Sequence, residues 1–191
     1  MPKSKARWLV KSEPDCFSIH DLAAQPSKTT CWDGVRNYLA RNHMRAMELG
    51  DEVLFYHSNA DPLAIVGAAT VARTAYPDPT AWDSASDHFD SKASPANPIW
   101  DMVDLRLKAI FAQPIPLETL RAEPRLAKME LLRRGSRLSV QPVSEDEYRV
   151  ILELGHAKAT SHDGGPTAKH KLVRREKRAR PAAVKKKRNR A

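Results

Sequence analysis

Apolar and polar residues alternate over five segments of this chain, which is the pattern of β-strands that bury one face. Proline, glycine or an Asp-Pro pair stands near several of the segment ends, where turns are expected. No internal repeat is visible along the chain. The predicted strands cover residues 7–11, 52–58, 63–73, 100–111 and 138–140.

Short helices are predicted between these strands. Ser18, with Asp21 three residues later, is typical of a helix N-terminus. A second helix is expected between Asp33 and Gly50, and a third, of one or two turns, at residues 116–120. The apolar positions of the second helix that are expected to be buried are Val35, Leu39 and Met47.

The last predicted helix begins at a capping box formed by Ser144 and Glu147. Gly155 follows its apolar positions, where a C-terminal glycine belongs, so the folded domain is predicted to span residues 1–155. Residues 76–98 are rich in Pro, Asp and Ser and predict a long surface excursion, a feature that is commonly functional in a compact domain. Scattered strands interrupted by short helices favour an α+β fold with a largely antiparallel sheet.

The formal net charge of +9 comes from the end of the chain. Residues 156–191 contain 13 of the 32 Lys and Arg residues but two of the 23 acidic ones, which leaves residues 1–155 with 19 basic and 21 acidic side chains. Because this segment has few large apolar residues, it is predicted to be a disordered basic tail. Such a tail can bind phosphates without reading sequence; a solubilising terminus and a nuclear-import signal are the alternatives.

The composition predicts a soluble, intracellular protein without a membrane segment. The N-terminus Met1–Lys5 is polar, and no long apolar span occurs. The two cysteines, Cys16 and Cys31, are not expected to form a disulfide in a reducing compartment. A cytoplasmic location is expected, with association to the nucleoid in a bacterium or a place in the nucleus of a eukaryote.

Three blocks of the sequence place aromatic rings next to hydrogen-bonding side chains. They are Trp8–Pro14, Trp32–Tyr38 and Phe55–Asn59. Rings that stack, with donors and acceptors beside them, are suited to gripping a flat heteroaromatic ligand. The sequence therefore predicts a base-sized pocket.

These blocks, together with Leu131–Val143, closely resemble the EVE-domain family, whose thymocyte nuclear protein 1-like members belong to the PUA-like superfamily. The resemblance covers about residues 7–155. It implies a PUA-like pseudo-barrel with short flanking helices. It also implies a nucleic-acid-binding module that reads a modified or flipped nucleobase in DNA or RNA.

Lys11, Ser12 and Glu13 stand at the end of the first predicted strand, where they can reach the mouth of a barrel; alternatively, Glu13 pairs with a basic residue at the surface. The resemblance implies that the Lys-Ser pair borders the base pocket. Trp32 is followed by an Asp-Gly pair that allows a sharp turn, so its indole is expected on a loop, where it either plugs the core or stacks on a ligand. The corresponding loop of the distantly related YTH readers supplies a wall of an aromatic cage, which suggests stacking.

Further pocket residues are expected close to these segments. Asn37 is expected to bond the polar edge of the base, and Asp104 is either the partner of an arginine or part of the pocket wall. A strand-end histidine such as His57 is commonly structural. The full predicted base pocket consists of Lys11, Ser12, Glu13, Trp32, Asn37, Tyr38, His57, Ser58, Asn59 and Asp104.

Three arginines are predicted to hold phosphates, because guanidinium groups match phosphate oxygens in shape and charge. They are Arg36, Arg41 and Arg134. Arg134 belongs to a block with three arginines in five positions, residues 133–137. Ion pairing with the many acidic residues of the domain is the alternative role for this block.

Enzyme signatures are weak. The sequence contains no phosphate-cradling glycine loop, no two-histidine zinc helix and no nucleophile elbow. The spacing of its cysteines and histidines matches no strong zinc pattern, so no metal, cofactor or catalytic residue is predicted. The alternative function is that of a PUA-like hydrolase, a nuclease or amidase acting on a nucleotide-type substrate through Lys11, Glu13 and His57.

Overall fold

Six strands and four helices form within residues 5–157, the part of the chain that the computed structural model describes. None of these helices is long and apolar enough to cross a membrane. The strands are β1 (Arg7–Ser12), β2 (Thr29–Trp32), β3 (Glu52–His57), β4 (Ala64–Pro77), β5 (Asp101–Pro116) and β6 (Val140–Val143). The helices are α1 (Ile19–Ala24), α2 (Tyr38–Arg45), α3 (Leu117–Ala122) and α4 (Glu145–Ala157).

The six strands belong to one sheet in the order β2-β5-β4-β3-β1-β6. β1 and β3 run parallel, and the other neighbouring pairs are antiparallel. A parallel pair needs a long crossover, which here contains α1, β2 and α2. The predicted α+β class, with a largely antiparallel sheet and short flanking helices, is confirmed.

The two longest strands are bent by irregular pairing. β4 and β5 pair from Ala64 opposite Pro116 to Pro77 opposite Asp101, with four shifts of register between those ends. Such bulges bend a strand and increase its twist. The bends curl the sheet in the manner of a pseudo-barrel.

Alternation along the central strands gives the sheet an apolar layer on each face. β1 and β3 pair so that Leu9 lies opposite Leu54 and Val10 opposite Phe55, and opposed residues share a face. Val10 and Phe55 pack with residues of α1 and α2, whereas Leu9 and Leu54 pack with residues of α3 and α4. The predicted alternation of the first strand is therefore confirmed.

The second helix begins later than predicted. Gly34 has a φ of 72° and turns the chain. Asn37 then caps the helix, because its Oδ1 accepts hydrogen bonds from the amides of Leu39 (2.9 Å) and Ala40 (3.1 Å). The predicted start at Asp33 is wrong, and so is the predicted burial of Leu39, which is 51% exposed.

The edges of the sheet depart furthest from the prediction. β2, with the sequence TTCW, shows no alternation of apolar residues, and the sequence predicts no strand there. β6 begins at Val140, where the predicted strand 138–140 ends. Both are edge strands with one neighbour each, so pairing with that neighbour defines them more than their own pattern does.

The last helix has the predicted start but a different end. The Ser144 amide donates to the Glu147 carboxylate (2.8 Å), and the Glu147 amide donates to Ser144 Oγ (3.2 Å), which completes the capping box. Gly155 lies inside α4 and not at its C-terminal cap, so that interpretation is wrong. A Cβ there would lie 3.3 Å from the Phe111 ring, and the glycine lets α4 pack closely on β5. The domain boundary stays a prediction, and the predicted disorder of the tail concerns residues beyond those that the structure describes.

Candidate base-binding pocket

An open cavity of about 500 Å³ lies beside the ends of β1 and β2. Lys11 and Ser12 of β1 form one side, and β2 with residues 33–36 forms the other. Single residues from two distant loops complete the rim. The cavity therefore lies between the end of β1, a strand that the sequence predicts, and the end of β2, a strand that it does not predict.

Trp32 lies at the base of this cavity and belongs to the core. It is the last residue of β2, opposite Val103 of β5, and the loop position predicted for it is wrong. Its ring packs edge-on against Phe55, with ring centroids 5.3 Å apart, and against Phe17, at 6.4 Å. The residue lines the cavity but is only 8% exposed.

Lys11 and Ser12 bring an amine and a hydroxyl to the cavity. Ser12 Oγ donates to the carbonyl oxygen of Phe17 (2.7 Å), which leaves the hydroxyl oxygen as an acceptor. The amide of Lys11 donates to the carbonyl of Ser139 (2.9 Å). Burial lowers the pKa of the Lys11 ammonium, and the carboxylate of Glu130 offsets part of this shift. Together the two side chains offer a donor and an acceptor to the edge of a flat ligand.

Residues 33–36 are tied to the long connection between β4 and β5. Asp78 in that connection is fully buried, and its carboxylate accepts hydrogen bonds from the amide of Gly34 (3.0 Å) and from Arg36 Nη1 (2.8 Å). Burial alone would raise the pKa of Asp78, but these and neighbouring hydrogen bonds hold it below its ordinary value. Arg36 Nε also donates to the carbonyl of His88 (2.6 Å). We call residues 33–36 with Asp78 the anchored wall.

His88 closes the outer side of the cavity against Gly34. A Cβ at position 34 would lie 2.6 Å from His88 Nε2, a distance that Cβ atoms do not tolerate. The positive φ favours glycine there, and a larger residue would also push the exposed imidazole of His88 aside. The surface excursion predicted at residues 76–98 thus supplies one face of the pocket.

Four predicted pocket residues lie behind the cavity, near the ends of β1 and β3, and do not line it. Glu13 Oε2 accepts a hydrogen bond from Asn59 Nδ2 (3.2 Å), and the amide of Ser58 pairs with the end of β1. His57 Nε2 accepts from the amide of Ile19 at the start of α1 (3.1 Å), which requires the neutral ring. Burial lowers the pKa of His57, in agreement with that state.

Four further predicted residues are engaged outside the cavity. Asp104 Oδ1 accepts from a tyrosine hydroxyl on β4 (2.5 Å), and Asn37 caps α2. Tyr38 packs on Trp100 with ring centroids 4.8 Å apart, and Arg41 Cζ lies 4.8 Å from the Tyr38 centroid. Their roles in ligand binding stay predictions.

Arg134 lies on an exposed loop next to the pocket. We call residues 133–137 the arginine loop; it lines a second cavity of about 240 Å³. Ser139, two residues beyond the loop, lines the larger cavity. No salt bridge joins Arg134 or Arg137 to a carboxylate of residues 5–157. Their guanidinium groups therefore face solvent beside the pocket.

The residues of the hydrolytic alternative do not share a cavity. Lys11 lines the pocket, whereas Glu13 and His57 make the contacts behind it. In the described part of the chain no group of three or more His, Cys, Asp or Glu side chains could hold a metal ion. Cys16 and Cys31 line the cavity as free thiols. The cavity can contact a flat ligand along one edge and on part of one face.

Comparison with known proteins identifies the family. The chain matches the EVE domain over residues 6–154. It belongs to the EVE-domain family. Human thymocyte nuclear protein 1 is 42% identical to it over 166 residues, which cover 78% of this chain and 73% of that protein.

Solved structures of relatives have the fold of this EVE domain. A hypothetical protein from Leishmania major matches with a TM-score of 0.78 and 49% identity, over 82% of this chain and 98% of the other. Human THYN1 in complex with DNA containing 5-methylcytosine matches with a TM-score of 0.76 and 40% identity, over 80% and 98% of the two chains. The predicted PUA-like fold class is confirmed.

Sequence reasoning missed several residues that line the pocket of this EVE domain. Cys31 was not expected because no strand is predicted at β2, and His88 comes from a distant loop. Strand pairing and a buried ion pair bring these two residues in, and neither contact has a local signal. Ser139 had one, because it lies within the block Leu131–Val143 that carries the family resemblance. Phe17 lies in the turn after β1, where its amide donates to the carbonyl of Glu13 (2.9 Å).

Proposed function

We propose that this EVE domain is a binding module that recognises a modified or flipped nucleobase in DNA or RNA. The observation that carries the proposal is the cavity that Lys11, Ser12 and Trp32 line together. A base outside its stack is held by edge hydrogen bonds and by contact with aromatic or apolar side chains. The human relative crystallised with DNA containing 5-methylcytosine supports DNA carrying a modified base as the partner.

Within the pocket, Ser12 and Lys11 bond the polar edge of the base. Trp32, which lines the cavity, contacts one face of the base. His88 and Gly34 limit the outer side and so the size of the accepted base. The other predicted pocket residues support the segments that line the cavity; they are Glu13, Asn37, Tyr38, His57, Ser58, Asn59 and Asp104.

The arginine loop holds phosphates of the strand that carries the base. Arg134 and Arg137 are free of carboxylate partners among the described residues, and solvent-exposed guanidinium groups bind phosphate oxygens in a fork. Arg36 and Arg41 were expected to do the same. Arg36 is bonded within the anchored wall and Arg41 donates to the Ile99 carbonyl (2.9 Å), so they contribute less to phosphate binding.

The C-terminal segment 156–191 adds affinity that does not depend on the base. Its 13 basic residues release counterions from the nucleic acid when they bind phosphates. The domain that precedes it has a slight excess of acidic residues. The base preference and the overall affinity therefore come from different parts of the chain.

The relatives also bear on where the protein acts. Human and mouse relatives are named as nuclear proteins. The chain is accordingly proposed to be nuclear in a eukaryote; in a bacterium it would be cytoplasmic and associated with the nucleoid. Fluorescence microscopy of the tagged chain in its source cell tests this location.

The proposal is tested with oligonucleotides that differ in one base. The full-length protein is titrated with single-stranded and duplex DNA and RNA that contain cytosine or 5-methylcytosine at one position, and the ligand is recovered and examined for cleavage. Cys31→Phe is expected to obstruct the cavity and weaken the preference for the modified base, because Cys31 lines it from an exposed position. Ala122→Phe, an exposed residue of α3 near the other face of the sheet, is the matched control.

Three outcomes decide the matter. A preference that Cys31→Phe weakens and Ala122→Phe retains supports the proposed pocket. Equal affinity for all bases, or a preference that Cys31→Phe leaves unchanged, overturns it. Cleaved or deaminated ligand would show turnover and favour the hydrolase.

A further inference from the structure

An aromatic stack stands at the start of α2, outside the cavity. Tyr38 is 56% exposed, and its ring lies on that of Trp100 with centroids 4.8 Å apart and planes inclined by 33°. Trp100 itself is 4% exposed and packs with the small cluster inside the connection between β4 and β5. Tyr38 thus covers a buried ring and turns much of its own surface to solvent.

The stack is held in a fixed position from several sides. Trp100 Nε1 donates to Asp90 Oδ2 (2.8 Å), which fixes the lower ring. Arg41 Nη1 donates to the Ile99 carbonyl (2.9 Å), and its Cζ lies 4.8 Å from the Tyr38 centroid and 5.8 Å from that of Trp100. Asn37 caps the helix immediately before Tyr38. An exposed ring held in this way loses little conformational freedom when it binds a ligand.

The stack adjoins the base-sized cavity through one residue. Arg36 lines that cavity, and its Cζ also lies 5.7 Å from the Trp100 centroid. The anchored wall therefore has the cavity on one side and the stack on the other. A strand that placed one base in the cavity and continued over this wall would bring its next base to Tyr38.

We propose that Tyr38 is a second, external stacking site, which takes the unpaired base next to the base in the pocket. This inference rests on the proposed function of the pocket. A base of any identity can stack on a tyrosine ring, because every base has a π-face. The site would add affinity for strands with a neighbouring base without adding sequence preference. Arg41, beside the ring, would favour a polyanionic strand over a neutral aromatic ligand.

The test uses three single-stranded probes with a central 5-methylcytosine: a trinucleotide with normal neighbours, and two trinucleotides in which one neighbour or the other is an abasic residue. The proteins are wild type, Tyr38→Ala, Tyr38→Phe and Leu39→Ala. Leu39 is the matched control because it is 51% exposed on the same helical turn and has no ring. Thermal stability is measured for each variant.

Stacking predicts that Tyr38→Ala weakens binding of the normal trinucleotide about five- to thirtyfold, while Tyr38→Phe and Leu39→Ala stay within about twofold. One abasic probe should bind wild type more weakly by a similar factor and be insensitive to Tyr38→Ala, because the base that stacks on the ring is already missing. The other abasic probe should respond to Tyr38→Ala like the normal strand.

The inference is overturned if Tyr38→Ala binds all probes as wild type does, if Leu39→Ala loses as much affinity as Tyr38→Ala, or if neither abasic probe binds wild type more weakly. The abasic probes need no variant, so they decide the question even if Tyr38→Ala fails to fold. A failure of the proposed function looks different: a trinucleotide with a central cytosine would then bind wild type as tightly as the methylated one, whatever Tyr38 does.

Discussion

The anchored wall of the pocket and the arginine loop next to it each carry an arginine that the sequence predicts to hold phosphate, and the two arginines differ in their contacts. Arg36 in the anchored wall makes a salt bridge with the buried carboxylate of Asp78 at 2.8 Å and bonds the carbonyl of His88. Arg134 in the arginine loop is exposed and joins no salt bridge with the rest of residues 5–157. The difference shows that the first arginine builds the pocket and the second is free to meet a ligand.

This contrast separates two kinds of substitution. A change in the anchored wall or at the base of the cavity removes packing or leaves a buried charge, so it should lower stability first. A change in the arginine loop removes an exposed charge, so stability should stay within about 0.5 kcal/mol while binding weakens. The following variants are ordered by the size of the effect expected.

Trp32→Ala should have the largest effect. The ring is 8% exposed and packs against Phe55 and Phe17, so its removal should cost about 3–5 kcal/mol of unfolding free energy, as for other buried aromatic residues. Urea unfolding followed by circular dichroism measures this. A loss below about 1 kcal/mol with a large loss of oligonucleotide affinity would instead make Trp32 a ligand platform and not a core residue.

Asp78→Asn should come next. The substitution keeps the shape of the side chain but leaves the Arg36 guanidinium without its counter-charge in a largely buried site. We expect a loss of about 2–4 kcal/mol in the same unfolding experiment, somewhat less than for a fully buried pair because Arg36 keeps some contact with water. Arg134→Ala is the control and should unfold like wild type.

A stable Asp78→Asn variant would contradict the anchored wall. Binding of oligonucleotides by Asp78→Asn gives a second test, because the anchored wall positions one side of the cavity. Base preference should fall in Asp78→Asn even at temperatures where the protein is fully folded. Unchanged preference would mean that the wall does not depend on this ion pair.

Arg134→Ala should leave the fold intact and alter the salt dependence of binding. Each phosphate contact contributes about 0.7–0.9 to the slope of log affinity against log salt. Removing one such contact should reduce the slope by about that amount and lower affinity several-fold at moderate salt. An unchanged slope together with a lowered melting temperature would indicate that Arg134 stabilises the fold and does not contact phosphate.

His57→Gln should give the smallest effect, seen in the pH dependence of stability. His57 accepts a hydrogen bond from the Ile19 amide, and burial, followed by the charge of His20, lowers its pKa below the ordinary value of 6.5, with Asp21 acting in the opposite direction. The unfolded state then binds this proton more readily, so the stability contribution is present above about pH 6.5 and is lost as the pH falls through the folded pKa. Glutamine can accept the same hydrogen bond without titrating, and stability should decline less between pH 7 and pH 5 in the variant. If stability declines equally in wild type and His57→Gln, the pH dependence comes from other titratable groups.

The sequence predicted correctly those elements whose formation depends on residues a few positions apart. The strand at residues 7–11, the cap at Ser18 and the capping box at Ser144 depend on neighbours within a few positions, and they are present. Lys11 and Ser12 line the cavity and stand at the end of a predicted strand, and their role in base binding stays a prediction.

The remainder of the site depends on distant contacts. Trp32 looked like a loop residue because its strand exists through pairing with β5. The ion pair of Arg36 had no local signal because its partner, Asp78, lies in another segment. Gly155 was predicted to end a helix, but it lies inside α4, where the Phe111 ring occupies the space beside it. Tertiary contacts decided each case, and the residue type alone could not.

The most direct test of the account is the ratio of affinities for DNA with and without 5-methylcytosine, measured for wild type and Arg134→Ala across a series of salt concentrations. Both oligonucleotides carry the same phosphates, so salt and the arginine loop should change their affinities equally. We expect a ratio above one that is constant with salt and equal in the two proteins, while the absolute affinities fall. A ratio of one, or a ratio that collapses in Arg134→Ala or at high salt, would contradict the claim that the pocket reads the base and the loop holds the strand.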